Sequence, residues 1–124
     1  MKKMKTYILF MTLPNNKLTL FKIGKSKDIE SRLRSHKSSN PLITSVYIFE
    51  DNVEKYLHWC FEEYRMFKGK KREWFYFDFN QPKTLDLITS AYKYLIESNQ
   101  CCEYSSSQEY KKILNTQIIK AREF

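Results

Sequence analysis

Phe21-Lys22-Ile23-Gly24-Lys25-Ser26 leads straight into Asp28-Ile29-Glu30-Ser31-Arg32-Leu33-Arg34-Ser35-His36-Lys37, and the fold turns on this junction. Leu18 to Ile23 is a compact apolar run of the kind that forms a strand, closed by a glycine and, two residues on, a small hydroxyl residue. From Asp28 the apolar spacing becomes helical, with Ile29 and Leu33 on one side and Ser26 or Asp28 placed to cap the first free amides. Gly24-Lys25-Ser26 between strand and helix invites a nucleotide-binding loop. That loop needs a second glycine five positions earlier, where Thr19 stands. The other glycine of the chain is Gly69, so the loop is excluded.

Upstream, Tyr7 to Met11 forms a second β-rich run, and Pro14-Asn15-Asn16 between the two predicts a hairpin with a long loop. Downstream, Pro41 blocks the helix and Leu42 to Phe49 predicts a third strand. Asp51 then opens a second helix, with Val53, Leu57, Phe61 and Tyr64 as its buried stripe and an end near Gly69. Glu73 to Phe79 is a fourth, strongly aromatic strand; after Asn80-Gln81-Pro82, Leu85, Ile88, Tyr92 and Leu95 mark a third helix. The order β-β-α-β-α-β-α predicts an α+β domain: a small, mostly antiparallel sheet of three to four strands flanked by helices. Ser98 to Ser107 reads as a polar linker, and Tyr110, Leu114, Gln117 and Ile118 as an extra C-terminal amphipathic helix that docks on the domain or serves a partner. The expected division is a domain over 1–98, then linker and helix over 99–124.

A chain of 124 residues is the size of one domain and hides roughly two thirds of its unfolded surface. With 42% hydrophobic and 16% aromatic residues it belongs with packed globules rather than disordered chains. The formal charge of +8 favours a polyanionic partner, because neutralising phosphates releases condensed counterions. Cys60 and the adjacent pair Cys101-Cys102 lack disulfide or zinc spacing, so reduced thiols are expected. The basic start holds too short an apolar run for a signal peptide, and no stretch reaches membrane-spanning length. The expectation is a soluble intracellular protein of cytoplasm or nucleus.

Arg32 and His36 lie four apart and share one helical face; alone they would make an exposed basic helix. Directly after a strand closed by a glycine, the same face and the positive helix start can lean over the mouth of the sheet. Glu54 and His58 repeat the spacing. Glu54 falls three residues after Asp51, where a capping box would place it, yet a carboxylate with a histidine one turn later also presents an oxygen and a nitrogen to a divalent metal. Lys22 interrupts an otherwise apolar strand and points either to solvent or into a site. Lys68, Lys70, Lys71 and Arg72 form a basic loop, with Lys25, Ser26 and Trp74 as further candidate nucleic-acid contacts.

Taken in order, Thr6-Tyr7, Lys22-Ile23-Gly24-Lys25-Ser26, Arg32, His36, Glu54, His58 and Glu73-Trp74-Phe75 resemble the GIY-YIG nuclease superfamily, in its phage and large-DNA-virus branch of the phage T-five type. These pieces span most of the first 80 residues. The resemblance implies a DNA partner, with RNA as the other possibility, and phosphodiester hydrolysis with Mg²⁺ or Mn²⁺. It gives Tyr7 the activation of water, aided by Lys22; Arg32 the scissile phosphate, with His36 one turn on; and Glu54 the metal, beside His58. Departures are plain: Lys5-Thr6-Tyr7 keeps only the tyrosine of the first motif, Lys22 stands where nucleases carry a second tyrosine, and the late asparagine has no counterpart. A DNA-binding module that retains the fold without turnover is therefore the alternative.

Overall fold

A computed structural model describes residues 3–12, 19–39, 43–66, 74–97 and 103–122. The elements are β1 (Lys5–Thr12), β2 (Thr19–Ser26), α1 (Ile29–Ser39), β3 (Ile43–Phe49), α2 (Glu54–Cys60), a 3₁₀ turn (Glu62–Tyr64), β4 (Trp74–Phe77), α3 (Gln81–Glu97) and α4 (Glu103–Arg122). The strands form one sheet in the order β3-β1-β2-β4, with every neighbouring pair antiparallel. The α+β architecture and the element order are those the sequence predicts.

Strand alternation sends successive side chains of β1 to opposite faces. Ile8 and Phe10 join Phe21, Ile23, Phe75 and Phe77 in the larger core, against α2, α3 and α4. Tyr7 and Leu9 face the other way, with Ile43, and are covered by Ile29 and Leu33 of α1. Phe21 stacks on Phe75 and Phe77, while Phe61 meets Phe21 edge-on; aromatic pairs so arranged add to the stabilisation of simple burial. α4 belongs to the same core: Tyr110, Leu114 and Ile118 are buried within it. The helix begins at Glu103, inside the serine-rich stretch expected to be linker.

Three expectations are corrected. Gly24 does not close β2: the strand runs on through Lys25 and Ser26, which pair with Thr6 and Lys5. Asp51 does not cap α2. Val53 holds the N-cap position, and Glu54 is the first helical residue rather than the third of a capping box. Finally, α2 stops at Cys60 instead of continuing towards Gly69, because the chain turns through Glu62–Tyr64 and pairs with β4. Arg65 bridges Phe75, and the Met66 N–H donates to the Trp74 carbonyl. Helical spacing yields here to a sheet partner that lies downstream in sequence. Pro14-Asn15-Asn16, the Lys68–Arg72 loop, Glu73, Cys101 and Cys102 lie outside the described residues.

Candidate functional site

The N-terminus of α1 is capped twice over. The Ser26 hydroxyl accepts the Asp28 N–H at 3.0 Å, and Asp28 Oδ1 accepts the Ser31 N–H at 3.2 Å. This fixes where the helix starts and so which of its residues face the sheet. Ile29 and Leu33 turn inward, and His36, one residue beyond Leu33's next neighbour pair, comes to lie over β1. Tyr7 Oη and His36 Nε2 are 3.1 Å apart, in a hydrogen bond whose proton follows the imidazole tautomer. Their rings are tilted at 51°.

The phenol needs room, and Gly24 provides it. Tyr7 pairs directly with Gly24 across the hairpin. A Cβ at Gly24 would lie 2.9 Å from Tyr7 Cε1 and nearer still to Cζ and Oη, inside the range real Cβ atoms avoid. The glycine is thus a cradle for the ring, required by close approach. Tyr7 is only 2% exposed, so half-buried His36 is the member of the pair that solvent reaches. Arg32 stands one turn before His36 on α1 and is exposed. Lys22 pairs with Leu9 on one side and Trp74 on the other, which puts Lys22 and Trp74 on the same face of the sheet as Tyr7.

Glu54 and His58 belong to α2, which packs against the other face of the sheet. Thr6, fully buried beside Tyr7, donates its hydroxyl to the Asp51 carbonyl at 2.7 Å and accepts the Val53 N–H at 2.8 Å. One strand residue therefore fixes the start of α2, and with it Glu54, at the Thr6–Lys25 end of the sheet. His58 Nε2–H donates to the Ile23 carbonyl at 2.9 Å, and its ring meets Phe75 edge-on. Among the described residues the β2–β4 register ends at the Lys22–Trp74 pair, so this carbonyl lies one residue past it. The bond commits that ring nitrogen to a carbonyl and buttresses the strand immediately before Gly24.

The structure thus brings together Tyr7, Gly24 and His36, with Arg32 exposed one turn before His36 and Lys22 and Trp74 on the same sheet face. It holds Glu54 and His58 on a helix packed against the opposite face. Lys25 is exposed, and Ser26 acts as a cap. Of the N-terminal lysines, Lys3 pairs with Asp51 at 3.7 Å and Lys5 with Glu50 at 3.2 Å. Asp51 also accepts the Tyr92 hydroxyl at 2.6 Å; burial, then this carboxylate, push the Tyr92 phenol up to about 12. Sequence reasoning missed Thr6, whose partners lie more than 40 residues away, and the steric role of Gly24. Neither leaves a local signal.

An α+β domain in which a hairpin cradles a tyrosine under a helix histidine, with basic groups beside it, is the class of module these elements define. The chain belongs to the T5orf172 domain family, a phage-type domain whose family model matches residues 5–93. No curated protein and no solved structure matches the chain. Among the described residues no helix is long and apolar enough to cross a membrane.

Proposed function

We propose that this chain is a nucleic-acid-binding domain of the GIY-YIG nuclease type, acting on DNA phosphodiester bonds at the surface formed by Tyr7, His36 and Arg32. The observation that carries this reading is the Tyr7–His36 hydrogen bond over Gly24, with a guanidinium one turn away. Imidazole is the side chain whose ordinary titration lies nearest neutrality, which suits it to take a proton from water. The phenol beneath holds the ring in place and shares its proton. The Arg32 fork meets phosphate oxygens as charge builds on them.

Glu54, at the Thr6–Lys25 end of the sheet and one rung from the Tyr7–Gly24 pair, is the carboxylate that would hold Mg²⁺ or Mn²⁺. Mg²⁺ is commonly held by one or two carboxylates together with waters and substrate phosphates, so a single carboxylate fits. Among the described residues no three His, Cys, Asp or Glu side chains gather into a cage. A bound Mg²⁺ would polarise the phosphate and stabilise the leaving oxygen. Lys22, standing where nucleases of the type carry tyrosine, favours the second reading, a module that binds DNA without cutting it.

Incubation with supercoiled plasmid in Mg²⁺ separates the two. The expected result is nicking that falls roughly 10²- to 10³-fold in Arg32→Ala and is lost in Glu54→Ala. Equal residual nicking in all three proteins leaves the binding module. A gel-shift titration against salt tests the shared part: affinity indifferent to ionic strength removes nucleic acid as the partner.

A further inference from the structure

Among the described residues, the α1 side of the sheet is covered unevenly. Ile29 and Leu33 pack over Tyr7, Leu9 and Ile43, which is the β1–β3 half. On the β2–β4 half, the same face carries Lys22 opposite Trp74 and Leu20 opposite Tyr76. Tyr76 is 43% exposed, between Phe75 and Phe77, which are buried on the reverse face. Trp74 is half-buried one rung along. Among the described residues, the four strands include no Asp or Glu. On this face the strand charges are the cations Lys5 and Lys22. Beyond Lys22 the next rung of β2 is Gly24, beneath the Tyr7–His36 pair. Rungs on one face recur about every 7 Å along a strand, so Tyr76, Trp74 with Lys22, and the Tyr7–His36 pair form a row of three stations.

We propose that this face is a platform for unpaired nucleotides: Tyr76 and Trp74 stack bases, Lys22 meets the intervening phosphate, and the strand is led toward Tyr7 and His36. The inference rests on the nucleic-acid reading above and narrows it to single-stranded, frayed or flapped substrates. Every base has a face on which an aromatic ring can stack, so such a platform tolerates sequence. A four-stranded sheet that presents two or three aromatics is an established way to hold splayed bases, whereas in a duplex those faces are already stacked. The described strand residues carry no acid, which keeps repulsion from the phosphates low in a chain of net charge +8.

The test uses the full chain in EDTA, with a fluorescent oligo(dT) and a duplex of equal length, followed by anisotropy. Tyr76→Ala is expected to weaken oligo(dT) binding roughly ten- to hundredfold while duplex affinity stays within about twofold; Tyr76→Phe, which keeps the ring, retains both. The chain has two tryptophans, so Trp59→Phe leaves Trp74 as the sole reporter, and oligo(dT) is expected to quench its emission. Duplex binding with no response of either DNA to Tyr76→Ala, or an unmoved Trp74 emission at saturating oligo(dT), overturns the platform and leaves the nucleic-acid reading standing. Failure to bind either DNA at low salt overturns both.

Discussion

Gly24→Ala is the sharpest probe of the candidate site, because the added methyl group has only one place to go. Its carbon would press on the hydroxyl end of the Tyr7 ring, 2.9 Å from Cε1 and nearer to Cζ and Oη, and that ring is itself buried under α1. Forcing a methyl group into a packed region costs about 1–3 kcal/mol. Displacing the phenol also breaks the bond to His36, adding about 1 kcal/mol. Against this, replacing a strand glycine returns about 0.5–1 kcal/mol of backbone entropy. The net expectation is a loss of about 2 kcal/mol. Urea unfolding followed by circular dichroism reads this as a midpoint lowered by about 1 M, with an unchanged slope. The control is the same substitution in a Tyr7→Leu background, where the reaches of the ring that meet the methyl group are gone. There Gly24→Ala should be neutral or slightly stabilising, giving a coupling of about 2 kcal/mol between the two positions. Additive effects would refute the steric account, since they would mean that the glycine matters for something other than the phenol.

Thr6→Val keeps the shape but strips the buried hydroxyl from the Asp51 carbonyl and the Val53 N–H; a loss of about 1–3 kcal/mol is expected in thermal unfolding, with Thr6→Ser restoring most of it. Ile118→Ala removes a side chain only 3% exposed and should cost about 2–5 kcal/mol of a single cooperative transition shared with the sheet; a separate early transition for α4 would contradict its place in the core. The buried Cys60 thiol is pushed up by desolvation from its ordinary 9.0 to about 11, so the fold favours the protonated form. The stability this contributes is complete below pH 9 and is lost as pH rises through about 11, up to about 3 kcal/mol. Cys60→Ala should flatten that part of the pH–stability curve, and an unchanged slope would count against it.

The start of α1 was legible because its signals are local: two capping residues and the Ile29–Leu33 spacing act within one turn, whereas the end of β2 was set by the pairing of Lys25 and Ser26 with β1. The stripe of α2 was legible for the same reason, with Val53, Leu57 and Phe61 buried as their spacing predicts. Its ends were not. Asp51 resembled a cap but is held by Tyr92 and by Thr6 through its backbone, and the helix gives way at Cys60 to a turn that carries Arg65 to Phe75. Both outcomes are decided by partners that are remote in sequence. In the candidate site, helical periodicity placed Arg32 beside His36, while nothing local indicated that His36 would meet Tyr7, 29 residues earlier. Tyr76 was hidden for another reason. In an unbroken aromatic run, alternation cannot be seen until the register with β2 is known.

Adjacent residues of β1 have opposite duties: Thr6 moors one helix from below the sheet, and Tyr7 engages another from above. A single residue inserted or deleted in β1 just after them would exchange their directions, detaching both helices at once. Length changes at that point are therefore tolerable only in even steps. A designer wishing to graft the site onto another sheet must transplant the pair together, in phase.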